Sequence, residues 1–165
     1  MYFWKEKKAM SKPYKISSES DHLLVEEPTY YYYAQKRLPI FELTAFQKMK
    51  IIKDGISKLY LEGFKKIAAL DYNILAAALS VTRATLINKK GASKFNETLS
   101  ERILGLADIY AFGYDIFEDK NNFNKWMLAS NQALGGYAPI EMVTNQYGRE
   151  EVRNIIGRIA YGVIS

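Results

Sequence analysis

Asn96-Glu97-Thr98-Leu99-Ser100-Glu101-Arg102-Ile103-Leu104-Gly105-Leu106-Ala107-Asp108-Ile109-Tyr110-Ala111-Phe112-Gly113-Tyr114-Asp115-Ile116-Phe117 decides the fold class of this chain. Leu99, Ile103, Leu106, Tyr110, Tyr114 and Phe117 recur at steps of three and four, the spacing that keeps side chains on one face of an α-helix. Asn96 stands where its side chain caps the first turn. A stripe this long has to be buried, so the helix is expected to be the central strut of the molecule. No segment beyond Phe41 alternates with the period of a strand. The fold class expected is all-α.

Upstream of the strut, Leu59, Tyr60, Phe64, Ile67 and Ala68 mark an amphipathic helix running to about Leu70. Asp71 caps a short helix from Asn73 to Leu79, Ser80-Val81 makes a tight turn, and Thr82 caps a helix expected to run to Lys90 and stop at Gly91. Ala76, Ala77 and Ala78 let the two helices approach, and Leu86 fills the space between them. These are the proportions of a helix-turn-helix, with Ser80 at the turn position commonly held by glycine. Residues 1–40 read as an irregular arm, broken by Pro13, Pro28 and Pro39 and carrying the run Tyr30-Tyr31-Tyr32-Tyr33. The organisation expected is therefore an arm over 1–40, a helix-turn-helix domain over 41–95 and a small helical domain over 96–165.

Composition excludes more than it selects. With 48% hydrophobic and 25% charged residues the 165-residue chain is able to bury a core. It has no cysteine, which removes disulfides and thiolate chemistry, and its single histidine, His22, removes a histidine metal cluster or a catalytic triad. Nothing resembles a nucleophile–base pair, so no enzyme, no cofactor and no metal are expected. No apolar run approaches a membrane span of about 20 residues, and the lysine-bearing N-terminus lacks a signal-peptide core, so a cytoplasmic location without membrane contact is expected. Of the net charge of +5, four units fall between Asn73 and Lys94 as Arg83, Lys89, Lys90 and Lys94, with no acid among them. An acid-free basic patch on a helix-turn-helix is the footprint of a phosphate-backbone binder. On such a binder Thr82, Arg83 and Asn88 would face base edges, Thr85 a phosphate, and Lys89, Lys90 and Lys94 would neutralise the backbone. The alternative is an αα-hairpin with a solvated lysine-rich loop.

Downstream of the strut the order Phe117, Asp119, Trp126, Asn131, Leu134, Gly135, Gly136, Pro139 leads to a glycine-bracketed tail, Gly157-Arg158-Ile159-Ala160-Tyr161-Gly162-Val163. Trp126 reads as core packing, Gly135-Gly136 as a turn needing positive φ or as room for a partner, and Pro139 as the first residue of a helix. Gly148 is expected to precede a last helix that buries Val152, Ile155, Ile156 and Ile159. This ordered series, with Ser100-Glu101-Arg102 before it, resembles the C-terminal toxin-binding domain of the Xre/MbcA/ParS antitoxins. The resemblance covers about residues 55–165. Ala160 and Tyr161 depart from it, since relatives often carry an acidic residue and a histidine at those positions.

The resemblance implies an antitoxin with an Xre-like helix-turn-helix before its toxin-binding domain. Its partner would be a co-encoded RES-type toxin that degrades NAD, held inactive by a C-terminal region laid over the active-site entrance. The residues expected to make that contact are Arg158, Tyr161, Gly162, Val163, Ile164 and Ser165, with Trp126, Asn131, Leu134, Gly135, Gly136 and Pro139 as the structural motif. An apolar tail of this kind packs either on a partner or on the protein's own body. The helix-turn-helix would bind operator DNA and regulate transcription, as a homodimer or higher assembly. Two other readings stay open: a stand-alone helix-turn-helix transcriptional regulator with a dimerisation or ligand-sensing domain, and an interaction module without DNA binding.

Overall fold

The computed structural model describes residues 43–162. The 1–40 arm, including Tyr30–Tyr33, and three residues expected to contact a partner (Val163, Ile164 and Ser165) lie outside the described residues. Within them the chain forms α1 (Ala45–Asp54), α2 (Lys58–Ile67), α3 (Tyr72–Ala78), α4 (Arg83–Ile87), α5 (Glu97–Ile116), α6 (Lys120–Leu128), a 3-10 turn (Gln132–Leu134), α7 (Pro139–Met142) and α8 (Gln146–Ala160). The fold is all-α; the one strand-like feature among the described residues is an isolated bridge between Ser57 and Lys94.

The caps read from sequence act as caps. The Asp71 carboxylate accepts from the amides of Asn73 and Ile74 at 2.7 and 2.9 Å, Thr82 from Thr85 at 3.2 Å, and Asn96 from Leu99 at 2.9 Å. Asp119 does the same for α6, accepting from Asn121. The strut is α5. Its expected stripe is buried from Leu99 to Tyr110 and half-buried at Tyr114 and Phe117, and Leu104, Ala107, Ile109 and Ala111 are buried as well, so α5 is covered on more than one side. α1 and α8 both pack along it, α6 leaves its C-terminal end, and α3 touches α7. Buried residues from Ile56 to Ile156 form one continuous cluster.

At the end of α5 an aromatic box closes the core. The rings of Tyr110 and Phe123 meet edge-on at 5.3 Å, Tyr110 also meets Phe64 and Tyr114, and Trp126 stacks on Phe123 at 5.7 Å. Trp126 is half-buried against the core, as the packing reading expects. Gly113 makes the box possible: a Cβ there would fall 2.1 Å from the Phe123 ring. Polar groups tie the box to α2. The Tyr114 hydroxyl lies 2.7 Å from Asn124 Oδ1 and 3.2 Å from the Ile67 carbonyl, which also accepts from Asn124 Nδ2 at 3.0 Å. Burial raises the pKa of both Tyr110 and Tyr114; the Asn124 hydrogen bond offsets part of the rise at Tyr114.

α1 is separated from α2 by Gly55, a break the apolar periodicity does not mark. Gly55 has φ +79°, and a Cβ on it would meet the Phe95 carbonyl oxygen at 2.6 Å. That close approach lets Phe95 N–H donate to Ile56 and Lys58 N–H donate to Ser93.

Candidate functional site

Two surfaces collect the residues singled out from sequence. The first is the α3–turn–α4 unit. Ser80 adopts φ +52°, so the position where glycine is common takes the left-handed conformation here too. Arg102, reaching from α5, donates to the carbonyls of Leu79 and Ser80 at 3.1 and 3.2 Å and holds this turn in place. Leu86 is fully buried between the helices, and Ala76 and Ala78 lie inside with it, whereas Ala77 is exposed.

α4 is shorter than its sequence suggests. It ends at Ile87 rather than Lys90, so Asn88, Lys89 and Lys90 lie beyond the helix. A helix continued to Lys90 would bond the Leu86 carbonyl to the Lys90 amide. Instead that carbonyl accepts from the Lys58 ammonium at 2.8 Å. Lys58 is only 4% exposed, an unusual place for a lysine. Its other contacts explain it: the ammonium donates to the Tyr72 hydroxyl at 2.6 Å, lies 4.4 Å from that ring's centre, and sits 3.4 Å from Glu62. One cation thus joins α2, α3 and α4.

Thr82, Arg83, Thr85, Asn88, Lys90 and Lys94 are all exposed around α4. The hydroxyls of Thr82 and Thr85 lie 2.8 Å apart and are engaged in the cap. Lys89 is half-buried, donating to the Lys94 carbonyl and lying 5.8 Å from the Phe95 ring centre, so it closes its own loop. Arg83, Lys90 and Lys94 have no ion-pair partner among the described residues.

The second surface is built on α6, the 3-10 turn, α7 and α8. Asn131 closes the turn with three groups. Its side chain accepts from Ala133, its carbonyl from Leu134 and Gly136, and its amide donates to Tyr137. Gly135 and Gly136 have φ +67° and +90°, with open space where each Cβ would lie. The positive φ values are those the turn reading requires, and the open space leaves the room that the partner reading requires. Leu134 is buried, and Pro139 opens α7 as its first residue.

Gly148 lies inside α8, not before it, because Asn145 is the capping residue and accepts from the Gly148 amide at 3.1 Å. A side chain at 148 has no room: its Cβ would fall 1.7 Å from the Met142 carbonyl oxygen. α7 and α8 meet backbone to backbone there. Val152, Ile155 and Ile156 are buried beneath α8 and Ile159 is half-buried. Arg149 passes over Gly105 of α5 and pairs with Glu101 at 2.6 Å. Arg153 pairs with Asp108 at 2.9 Å, and Asp108 also holds Lys48 of α1 at 2.7 Å.

The outward stripe of α8 runs Tyr147, Glu151, Asn154, Arg158, Tyr161. Tyr147 is 82% exposed and Tyr161 87% exposed. Beside the stripe's C-terminal end a groove is lined by Phe112, Arg153, Asn154, Gly157, Arg158 and Tyr161, with the Arg153 guanidinium 4.6 Å from the Phe112 ring centre. Arg158 has only a loose partner, Glu151 at 3.9 Å. Gly162 ends the helix with φ +68°. Arg158, Tyr161 and Gly162 are therefore brought together on one open edge. Sequence reading missed Phe112, Arg153 and Asn154 and took Gly157 only as the start of the glycine-bracketed tail; the three-and-four spacing back from Tyr161 was the available signal for Asn154. Among the described residues no grouping of acidic or histidine side chains fits a metal ion, and no helix is long and apolar enough to cross a membrane.

Residues 113–162 match the family model described as the antitoxin Xre/MbcA/ParS C-terminal toxin-binding domain. The match begins at the glycine under Phe123 and ends at the glycine that terminates α8. Two antitoxins are similar in sequence. The "Prs ADP-ribosylating antitoxin" of Sphingobium sp. (strain YBL2) is 26% identical over 139 residues, covering 76% of this chain and 86% of that protein. The "Antitoxin Xre" of Photorhabdus laumondii subsp. laumondii is 33% identical over 76 residues, covering 46% of this chain and 51% of that protein.

Proposed function

We propose that this chain, an antitoxin of the Xre/MbcA/ParS type by its residues 113–162, neutralises a RES-type toxin by laying the C-terminal edge of α8 across the cleft that admits NAD. The observation that carries the reading is the exposed α8 edge. Arg158 and Tyr161 line a groove that none of the chain's described side chains fills, and Gly162 follows Tyr161 in the chain. A large exposed aromatic beside an arginine is the composition of an interface hot spot, not of a solvated helix end. Arg158, held only at 3.9 Å by Glu151, is free to exchange that partner for a carboxylate or carbonyl of the toxin. The protein acts by occlusion and turns over nothing.

The name of the Sphingobium relative couples an antitoxin to ADP-ribosylation. Hydrolysis of NAD and transfer of ADP-ribose both begin by breaking the glycosidic bond to nicotinamide. A plug over an NAD cleft stops either, so the toxin is proposed as an NAD consumer without choosing between the two fates.

The second half of the proposal is operator binding by α3–α4, in the cytoplasm and as a homodimer or larger assembly. Its support is the acid-free stretch 73–94, on which Arg83, Lys90 and Lys94 are exposed and have no ion-pair partner among the described residues. Arg83 would read a base edge, and Lys90 and Lys94 would hold phosphates from the loop. Lys89, committed to its own loop, contributes less than its position in the sequence suggests.

Co-expression with the neighbouring toxin tests the first half. Arg158→Glu combined with Tyr161→Ala is expected to abolish rescue and complex formation while the helical circular dichroism signal stays intact. Rescue that survives both changes refutes the plug. For the second half, Lys90→Ala should weaken binding to all sequences and flatten the salt dependence, whereas Arg83→Ala should relax preference at one position by roughly 1–3 kcal/mol. Absence of salt-dependent binding to the upstream DNA refutes it.

A further inference from the structure

We propose that the outward stripe of α1 is covered by the chain's own acidic-aliphatic segment, residues 19–27. This inference does not depend on the toxin or on DNA. α1 is the least supported helix of the fold. None of its ten residues is buried, and a helix of that length is marginal in water by propensity alone. Its inner side rests on partly buried Ile51 and Ile52 and on the Lys48–Asp108 ion pair. Its outer side carries Phe46, Met49, Lys50 and Lys53, at steps of three, one and three, which is one helical stripe. Phe46 is 77% exposed and Met49 57% exposed. Lys50 and Lys53 are exposed too, with no acidic partner among the described residues.

The stripe thus asks for a partner that is apolar at one end and acidic at the other. Residues 19–27 supply both: Leu23-Leu24-Val25 are consecutive aliphatics, and Glu19, Asp21, Glu26 and Glu27 flank them with no Lys or Arg in the segment. The connection is long enough. Residues 28–42 lie between the segment and the described chain, and at roughly 3.3–3.6 Å per residue they reach about 50 Å, against about 15 Å for the whole of α1. Tethering makes the contact intramolecular, which raises its effective concentration without any new interaction. A second copy fits less well. A two-fold pairing of α1 with α1 would gather Lys50 and Lys53 of both chains at one interface. The basic surface around α4 also fits less well, because Ile87 is the one exposed large apolar side chain there.

The absence of cysteine makes the test direct. Met49→Cys introduces a single thiol on the stripe, and Gln132→Cys places a reference thiol on the exposed 3-10 turn. Maleimide labelling rates of the whole chain are compared with and without Leu23→Ser, Leu24→Ser and Val25→Ser. The thiol at 49 is expected to react about tenfold more slowly when the native segment is present, while the thiol at 132 reacts equally in both and light scattering gives the same mass with and without the three substitutions. Charge reversal by Glu26→Lys and Glu27→Lys should release part of the protection. Lys50→Cys repeats the comparison with Met49 intact. Equal rates on the stripe overturn the proposal. Protection at position 49 that grows with protein concentration, with position 132 unaffected, overturns it too and assigns the stripe to a second copy.

Discussion

Gly157→Ala separates the two demands placed on α8. Glycine in a helix interior is less favourable than alanine by roughly 0.5–1 kcal/mol. Here the fold offers no compensation, since a Cβ at 157 would meet nothing within 4 Å. Position 157 lies three residues before the end of α8, so the gain should fall toward the lower part of that range. For a chain of this size about 1 kcal/mol moves the melting temperature by roughly 2–4 °C, and the free protein is expected to melt about 1–3 °C higher. The toxin complex should respond in the opposite sense. Residue 157 lines the groove together with Phe112 and Tyr161, and a methyl forced into a packed contact costs about 1–3 kcal/mol, a loss of roughly 5- to 150-fold in affinity. Calorimetric melting of the free protein and titration calorimetry with the toxin read both effects on one sample. A lower melting temperature would show that the glycine serves the protein's own fold. A higher one with unchanged affinity would show that the groove stays empty in the complex.

Four further outcomes are expected. Gly113→Ala drives a methyl into the Phe123 ring and should cost about 1–3 kcal/mol by urea unfolding, partly recovered by Phe123→Leu; full stability in the single variant would contradict the packing of the box. Tyr110→Phe removes a buried hydroxyl with no hydrogen-bond partner among the described residues and should stabilise by up to about 1 kcal/mol, whereas Tyr114→Phe, which breaks the link to Asn124, should destabilise by about the same amount. Because the folded chain holds the protons of Tyr110 and Tyr114 more tightly than the unfolded chain does, stability should fall as pH rises above the free tyrosine value near about 10. The double phenylalanine variant should flatten that alkaline decline, and an unchanged slope would argue against it. Lys58→Met leaves the Leu86 carbonyl without its donor and should cost about 1–3 kcal/mol, unless the amide of Lys90 takes over, which hydrogen exchange at that amide would reveal.

What sequence reading recovered was governed by neighbours in the chain. The caps at Asp71, Thr82 and Asn96, the α5 stripe, the positive-φ glycine pair and the proline opening α7 all depend on residues within a turn or two. What it misread or left unmarked was decided by contacts between elements. Gly148 looks like a residue before a helix until the Met142 carbonyl is found against it. Gly55 breaks α1 from α2 because Phe95, forty positions later, approaches its backbone. In the candidate site, Arg158 and Tyr161 were legible from the tail. The Phe112 wall comes from α5, and only the packing of α5 on α8 brings it there.

The Lys58–Leu86 contact has a consequence for how the length of α4 is specified. Nothing between Thr82 and Lys90 forbids another helical turn; no proline or glycine stands in the way. The stop signal is written 28 positions upstream, in a residue that belongs to a different helix. Grafting the 72–90 segment onto another scaffold would therefore leave its punctuation behind. The transplanted helix would be free to run on, carrying Lys89 and Lys90 around its axis to directions they do not point in here.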